Sequence, residues 1–341
     1  MTYQNIPLVL ILRKKETDDT ESFYFQSKKP LLFNFKPGQF ILLEANINGN
    51  SQVRAYSISS QPNSPTLKLT IKRVKDGLVS NWLIDNLALN NQITLRSIGG
   101  EFNIIDVKYK KKILFISAGC GITPVTSMAQ YLLDQKIAVD IDFLHCAKDE
   151  FNIIYYLKLQ QMAKQYRHFN YHLRLKNSST EPVLMHSSVG RITDDFLIEH
   201  YSNLDEYTIF LCGSHRFMTD IANNLKSLNF DMDQFHYESF TLESCLDDKL
   251  SDKQGIKVTV ADFNFEQTAA IDDNLLTILE SGQLPIIGAC RSGVCGACKC
   301  KIEHGEVIST SYATLSQQEI EQGFHLACST IVKSDVDVSL S

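Results

Sequence analysis

At 341 residues and with ordinary apolar content, the chain is expected to hold two or three domains, each able to build its own core. A net charge of -6 gives no basic footprint for nucleic acid, and no run approaches the length of a membrane span, the longest apolar stretches being Ile6–Leu12 and Ile113–Ser117. The first residues show no charged-then-apolar targeting pattern and the nine cysteines form no disulfide framework, so the reducing cytoplasm is the expected compartment.

In chain order, short apolar or alternating segments predict strands at Leu8–Leu12, Ser22–Gln26, Gln39–Glu44, Arg54–Ser59 and Thr66–Val74, separated by turn signals at Lys36-Pro-Gly38, Asn48-Gly49 and Gln61-Pro-Asn63. A short helix follows Gly77-Leu-Val-Ser80, with Ser80 as its expected N-cap, and Gln92–Arg96 supplies the last strand of an antiparallel barrel.

From Lys111 the period changes. Strand-length apolar runs at Ile113–Ala118, Val139–His145, Phe169–Leu175 and Tyr207–Cys212 alternate with helical segments at Pro124–Gln135, Ile153–Tyr166, Asp194–Tyr201 and Arg216–Leu228. That alternation predicts a parallel, doubly wound sheet, with Gln234–Phe240 as a fifth strand. The polar stretch Thr241–Gly255 reads as a tether. Beyond it come strands at Ile256–Ala261 and Phe263–Gln267, a helix at Asp273–Glu280 that Asp272 can cap, a strand at Lys299–Glu303, a capping-box helix opened by Ser316-Gln-Gln-Glu319, and a strand near Val336–Leu340. The expected boundaries are 1–108, 109–240, a linker at 241–254, and 255–341.

Three motifs carry chemistry. Cys290, Cys295 and Cys298, with Cys328 thirty residues on, have the C-x4-C-x2-C spacing that wraps a plant-type [2Fe–2S] cluster. Gly288, Gly293 and Gly296 permit the turns such a loop needs; a zinc site is the alternative, although structural zinc is usually held by two short cysteine pairs. Cys300, two residues further, alternates onto a strand and is expected to pack rather than ligate. Ala118-Gly119-Cys120-Gly121-Ile122-Thr123-Pro124 follows the first strand of the parallel sheet, where helix N–H groups can hold a pyrophosphate; Thr123 is the expected N-cap and Pro124 stands where the fingerprint has its third glycine. Arg54-Ala55-Tyr56-Ser57 lies on a barrel strand, and Cys212-Gly213 ends a later parallel strand.

Together with Phe35-Lys-Pro-Gly-Gln39 and Gly323-Phe-His-Leu-Ala-Cys328, these motifs resemble the ferredoxin–NAD(P)H reductase superfamily, in its branch with a C-terminal plant-type ferredoxin domain. The resemblance covers nearly the whole chain. It implies a β-barrel flavin domain, an α/β doubly wound NAD domain and an α+β β-grasp ferredoxin domain. It also implies that Arg54 faces the flavin phosphates, Tyr56 lies against the ring, Ser57 sits near flavin N5, and Ala55 between them belongs to the cofactor-binding set. Groups of Ile71, Lys72, Arg73, Gly77, Val79 and Ser80 would hold the ribityl and pyrophosphate. Gly119, Gly121, Thr123, Cys212 and Gly213 would take the nicotinamide dinucleotide, and Glu238 and Phe240 would close over the flavin. Ser57 and Cys212 are the implied catalytic positions.

The expected function is transfer of electrons from NADH, with NADPH as alternative, through FAD, with FMN as alternative, to the [2Fe–2S] cluster and on to a protein acceptor. The resemblance favours a hybrid-cluster-type protein as acceptor, ahead of a ring-hydroxylating oxygenase, a phenylacetyl-CoA epoxidase or a fatty-acyl desaturase. From another class, a redox sensor or carrier is the rival, but no output module is visible. At the end of the second parallel strand, His145-Cys-Ala-Lys148-Asp149 offers Asp149 against, and Lys148 for, a 2′-phosphate.

Overall fold

The computed structural model describes residues 5–178, 184–201, 203–239, 255–289, 291, 293, 295–312 and 314–340. Phe240, Cys290 and the tether expected at 241–254 lie outside the described residues. The chain forms two compact units: the first holds an antiparallel and a parallel sheet, the second a mixed sheet.

The antiparallel sheet comprises β1 (Ile6–Thr17), β2 (Thr20–Ser27), β3 (Phe40–Ile47), β4 (Asn50–Ser57), β5 (Thr66–Lys72) and β6 (Gln92–Gly99), in the order β4-β3-β6-β1-β2-β5. Period-2 alternation sends Leu8, Leu10, Phe23, Phe25, Leu43 and Leu69 into one fully buried core. Just past β4, Ile58 bridges Leu69 of β5 and the Ser59 amide donates to the Lys68 carbonyl at 2.9 Å, so the two edges meet as a barrel requires. Helix α1 (Leu78–Asn86) lays Val79, Leu83 and Ile84 on that core. Its N-cap is Gly77, not Ser80: the backbone is still extended at Gly77 (φ -76°, ψ 114°), and Ser80 falls inside the helix with its hydroxyl accepting from the Val74 amide at 3.4 Å.

The parallel sheet runs β7 (Lys112–Ala118), α2 (Ile122–Asp134), β8 (Asp140–Ala147), α3 (Tyr156–Gln165), β9 (Phe169–Leu175), β10 (Ser187–Val189), α4 (Asp194–His200), β11 (Tyr207–Gly213), α5 (His215–Ser227) and β12 (Phe235–Ser239). Its order is β10-β9-β8-β7-β11-β12. Both faces are covered, one over Phe115, Phe143 and Met128 and the other over Leu114, Leu144 and Met218, which is why the central strands read as unbroken apolar runs. Strand β10 escapes sequence reasoning because Ser-Ser-Val is too short and polar to show a run. Thr123 does not cap α2: a 3-10 turn over Gly119–Gly121 feeds straight into the helix, so Gly121 is the cap and Thr123 and Pro124 lie in the first turn.

The second unit contains β13 (Gly255–Val260), β14 (Phe265–Ala270), α6 (Leu275–Ser281), β15 (Lys299–His304), β16 (Val307–Ser309), α7 (Gln317–Glu321), β17 (Phe324–Leu326), β18 (Thr330–Val332) and β19 (Val336–Ser339). Five strands order as β14-β13-β19-β15-β17 around a parallel β13/β19 pair, β16 pairs with β18 apart from them, and α6 buries Leu275, Leu276, Ile278 and Leu279 in the shared core. This is the β-grasp arrangement. Asn274, not Asp272, caps α6, accepting from the Thr277 amide at 3.2 Å, because Asp272 is turned to pair with Lys333. The Ser316/Glu319 capping box opens α7. Strands β16, β17 and β18 are three residues each and leave no periodic signal.

Gly38 ties the Lys36-Pro-Gly38 turn to the parallel half of the first unit. Its φ is +107°, and a Cβ there would lie 2.3 Å from both the Phe102 carbonyl oxygen and the Met128 methyl. Gly38→Ala is expected to destabilise the first unit by about 1–3 kcal/mol. Urea denaturation followed by the fluorescence of Trp82, the chain's single tryptophan, reads the loss; an unchanged midpoint would show that the turn yields without cost.

Candidate functional site

The crossover from β7 runs to β8 on one side and that from β11 to β12 on the other, so the ends of β7 and β11 form a topological switch point. The Gly119–Gly121 turn stands there. A Cβ on Gly121 would come 2.1 Å from the Cys212 carbonyl oxygen, so only glycine lets the turn lie against the end of β11. Gly119 has φ +53° and open space where its Cβ would be. Helix α2 begins without a side-chain cap or an acidic residue in its first turn, leaving its positive end unneutralised. An open cradle over uncapped amides fits a dinucleotide pyrophosphate. The buried Thr123 hydroxyl donates to the Cys120 carbonyl at 2.9 Å and braces the turn. Cys212 is fully buried, and burial, with Glu238 opposite it on β12, raises its thiol well above the usual range.

On the barrel side, Ser57 ends β4 with its hydroxyl buried and without a hydrogen-bond partner among the described residues. A buried orphan hydroxyl is costly unless something else meets it, which fits a polar ring atom of a flavin. Tyr56 is half-buried against the barrel core, and the Arg54 guanidinium donates to the Val53 carbonyl at 2.7 Å. Helix α1 also starts without a side-chain cap or an acidic residue, so its first amides suit a phosphate. The side chains of Lys72 and Arg73 are committed to Asp19 (3.3 Å) and to Asp85 (2.6 Å), and the Arg73 amide donates to the Asp19 carbonyl at 2.7 Å. What Arg73 can offer a ligand is therefore smaller than its place in the motif suggests.

In the second unit, Cys298 and Cys328 are buried and Cys295 is partly exposed. The Gly293 amide donates to Cys328 Sγ at 3.2 Å, and the Cys328 amide to Cys298 Sγ at 3.4 Å. Such donors favour thiolates and an anionic cluster. Gly293 and Gly296 both have positive φ (+70° and +72°), and a Cβ on Gly293 would stand 2.6 Å from Ser311 Cβ. Asn274, besides capping α6, donates to the Cys328 carbonyl at 2.9 Å. Arg291 binds Glu280 of α6 at 2.6 Å. Cys300 is in the apolar core, where burial pushes its thiol up to about 12.

Residues 7–104 match the oxidoreductase FAD-binding domain family, residues 115–223 the oxidoreductase NAD-binding domain family, and residues 258–333 the 2Fe-2S iron-sulfur cluster binding domain family. The chain is 33% identical to a glycine betaine monooxygenase reductase subunit of Pseudomonas aeruginosa, over 94% of this chain and 92% of that one. It is 30% identical to the NADH oxidoreductase HCR of Escherichia coli, over 89% and 88%. The chain belongs to the ferredoxin-reductase-type NAD(P)H oxidoreductases with a fused [2Fe–2S] domain. Phthalate dioxygenase reductase shares its fold at a TM-score of 0.69, with 18% identity over 98% of both chains. Among the described residues no helix is long and apolar enough to cross a membrane.

Membership in this reductase family does not point to several residues that the structure brings to the sites. His145 lies fully buried on β8 beside Ser117, whose hydroxyl is 2.9 Å from its Nδ1, one residue short of the Gly119 turn. Nothing in the run Asp-Phe-Leu-His-Cys distinguishes it from a strand residue. Asn274 reads as an ordinary polar residue until the fourth cysteine folds back to it.

Burial, reinforced by the Lys72 charge, pushes the His145 imidazole down to about 3. Unfolded, it protonates near 6.5, so between the two values the unfolded chain binds the extra proton and acid removes stability. Going from pH 7 to pH 5 should cost the reductase about 2 kcal/mol through this residue. Comparing His145→Leu with the parent by urea denaturation at both pH values tests it: the variant should lose less by about that amount, and parallel losses would refute it.

Proposed function

We propose that this reductase takes electrons from NADH at the switch-point turn, passes them through FAD beside Tyr56 and Ser57, and delivers them from the [2Fe–2S] cluster to a separate protein acceptor. The observation that carries the reading is the cysteine loop whose backbone amides already point at Cys298 and Cys328. A flavin supplies the conversion between a two-electron hydride and the single electrons an iron–sulfur cluster accepts.

The chain's own groups do the positioning. Gly119, Gly121 and the first turn of α2 hold the pyrophosphate of the dinucleotide, and Cys212-Gly213 bounds the nicotinamide. The Cys212 thiol, kept protonated by burial, leaves that end of β11 without a charge. Tyr56 offers its face to the flavin ring, Ser57 a hydrogen-bond donor, Arg54 and the amides of α1 bind its phosphates, and Ile71 supports it from β5. Glu238 and Phe240 would close the site, and Cys290, Cys295, Cys298 and Cys328 would hold the iron. Preference for NADH rests on Asp149, fixed at the end of β8 by the Phe151 amide at 3.1 Å and the Asn152 side chain at 2.6 Å, where its charge opposes a 2′-phosphate. Domain limits of 1–108, 109–240 and 255–341 go with this assignment.

For the acceptor, the oxygenase component of a monooxygenase system is favoured, because the glycine betaine monooxygenase reductase subunits and a stachydrine N-demethylase reductase subunit match at 31–33% identity. A hybrid-cluster-type acceptor is the second reading, supported by the Escherichia coli HCR likeness.

Purified protein should carry one flavin and two irons per chain by absorption and metal analysis; zinc in place of iron sinks the reading. Cys298→Ser should lose the electron paramagnetic resonance signal of the reduced cluster while keeping flavin reduction by NADH, whereas Cys300→Ser should keep both. The reverse pattern would reassign the ligand.

Residues 1–240 alone should still pass electrons from NADH to a dye that accepts from flavin, and fail with the protein acceptor. Full-rate reduction of that acceptor by the truncated chain would take the fused domain off the path.

A further inference from the structure

A second cleft of about 750 Å³ opens in the first unit, between the barrel strands β1, β2 and β5 and helices α2 and α3. That volume is in the range of small-molecule sites, and none of the residues assigned above to flavin, dinucleotide or iron lines it. Its walls carry Lys14, Lys68 and Lys158, with Tyr24, Tyr155 and Tyr166 around them. Two ammonium groups converge on one ring: Lys68 Nζ stands 3.9 Å and Lys158 Nζ 5.8 Å from the centroid of Tyr155.

The carboxylates nearby do not balance this charge. Glu16 is shared, 3.6 Å from Lys68, 3.5 Å from Lys14 and 2.6 Å from the Ser22 hydroxyl. Asp134 accepts from the Tyr166 hydroxyl and the Gln130 amide, each at 2.8 Å. Lys158 has no carboxylate within ion-pair distance among the described residues, Asp134 and Glu16 acting on it only from farther off, so a part-buried ammonium faces the cleft without a paired carboxylate. Leaving such a charge unpaired costs stability, and a ligand anion is the group that would recover it.

We propose that this cleft binds a small multivalent oxyanion, a polycarboxylate or a phosphate, between Lys68 and Lys158 with Lys14 at its mouth. The glutamine amides of Gln61, Gln130 and Gln161 and the Ser60 hydroxyl supply further donors at the wall. Burial holds Lys68 down to about 7 and Lys158 down to about 8; the Lys14 charge adds to both, while Glu16 pulls Lys68 the other way and Asp134 and Glu16 do so for Lys158. A bound anion raises both, so binding takes up protons near neutral pH. Because Tyr155 also hydrogen-bonds Thr70 of β5, next to Ile71, occupancy would clamp the barrel to the parallel sheet.

Calorimetric titration of the cofactor-loaded, full-length protein with citrate and, separately, with inorganic phosphate tests this. One of the two should saturate at a single site, with the choice telling carboxylate from phosphate, and heats in two buffers of different ionisation enthalpy should reveal proton uptake. Lys158→Met should weaken binding at least tenfold, Lys158→Arg should retain it, and saturating NAD+ should leave it unchanged. Absence of saturation with both probes, an unaltered affinity in Lys158→Met, or displacement by NAD+ would each overturn the proposal.

Discussion

The approach of Gly121 to the carbonyl of Cys212 is the contact on which the first unit's chemistry depends. Two parallel strands whose crossovers diverge leave a crevice at their C-terminal ends, but the crevice becomes a binding surface only if the turn after β7 stays low. A Cβ 2.1 Å from the Cys212 oxygen would lift that turn and swing the start of α2 away. Gly213, where an added Cβ would lie 2.7 Å from the Phe217 ring, applies a similar restriction from the β11 side. The apolar packing of Phe115, Phe143 and Phe210 beneath holds the strand ends at a fixed depth, so the cradle's shape follows from the core.

Several costly features of the first unit meet at the seam between its two sheets. Tyr155 adopts φ +63°, a conformation that costs a bulky residue on the order of 1–3 kcal/mol. The same residue lies under two lysines and beside Thr70, which in turn meets the Ser22 hydroxyl at 2.7 Å and, through it, Glu16. Hydrogen bonds and opposite charges run in a closed circuit through three barrel strands and one helix. Apolar side chains of the same volume would pack more cheaply there, so the circuit is informative about use as well as about folding.

Much of this architecture was legible because long elements advertise their period. Phe169–Leu175 matches β9 end for end, and the strand–helix alternation fixed the sheet type. Caps were harder: near the start of α1, α2 and α6 two or more residues can serve, and the choice depends on where the backbone leaves the helix, to an extended residue before α1 and α6 and to a 3-10 turn before α2, which Ser80, Thr123 and Asp272 do not reveal. The cysteine spacing announced the iron site, whereas its amide donors and Asn274 needed the folded loop. Lys68 shows why buried charge escapes a sequence reader. In Thr-Leu-Lys-Leu-Thr-Ile-Lys it occupies an outward position of an alternating strand, and only the docking of α3 over that face removes it from water.

The cysteine loop illustrates how a short helix can fix a candidate metal site. With seven residues, α6 is too short to be stable alone and is held by its four core side chains. Each end then pins the loop: Asn274 at the N-terminus bonds the Cys328 carbonyl, and Glu280 near the C-terminus takes the Arg291 guanidinium at 2.6 and 2.7 Å. Arg291 itself sits at φ +55°, a conformation it keeps against its own preference while the ion pair holds it. Arg291 and the turn carrying Cys328 are thus both referenced to one helix that cannot move without opening the β-grasp core. With the Cys328 turn held in this way, the amide that Cys328 donates to Cys298 Sγ is preorganised for an anionic sulfur rather than left to the loop.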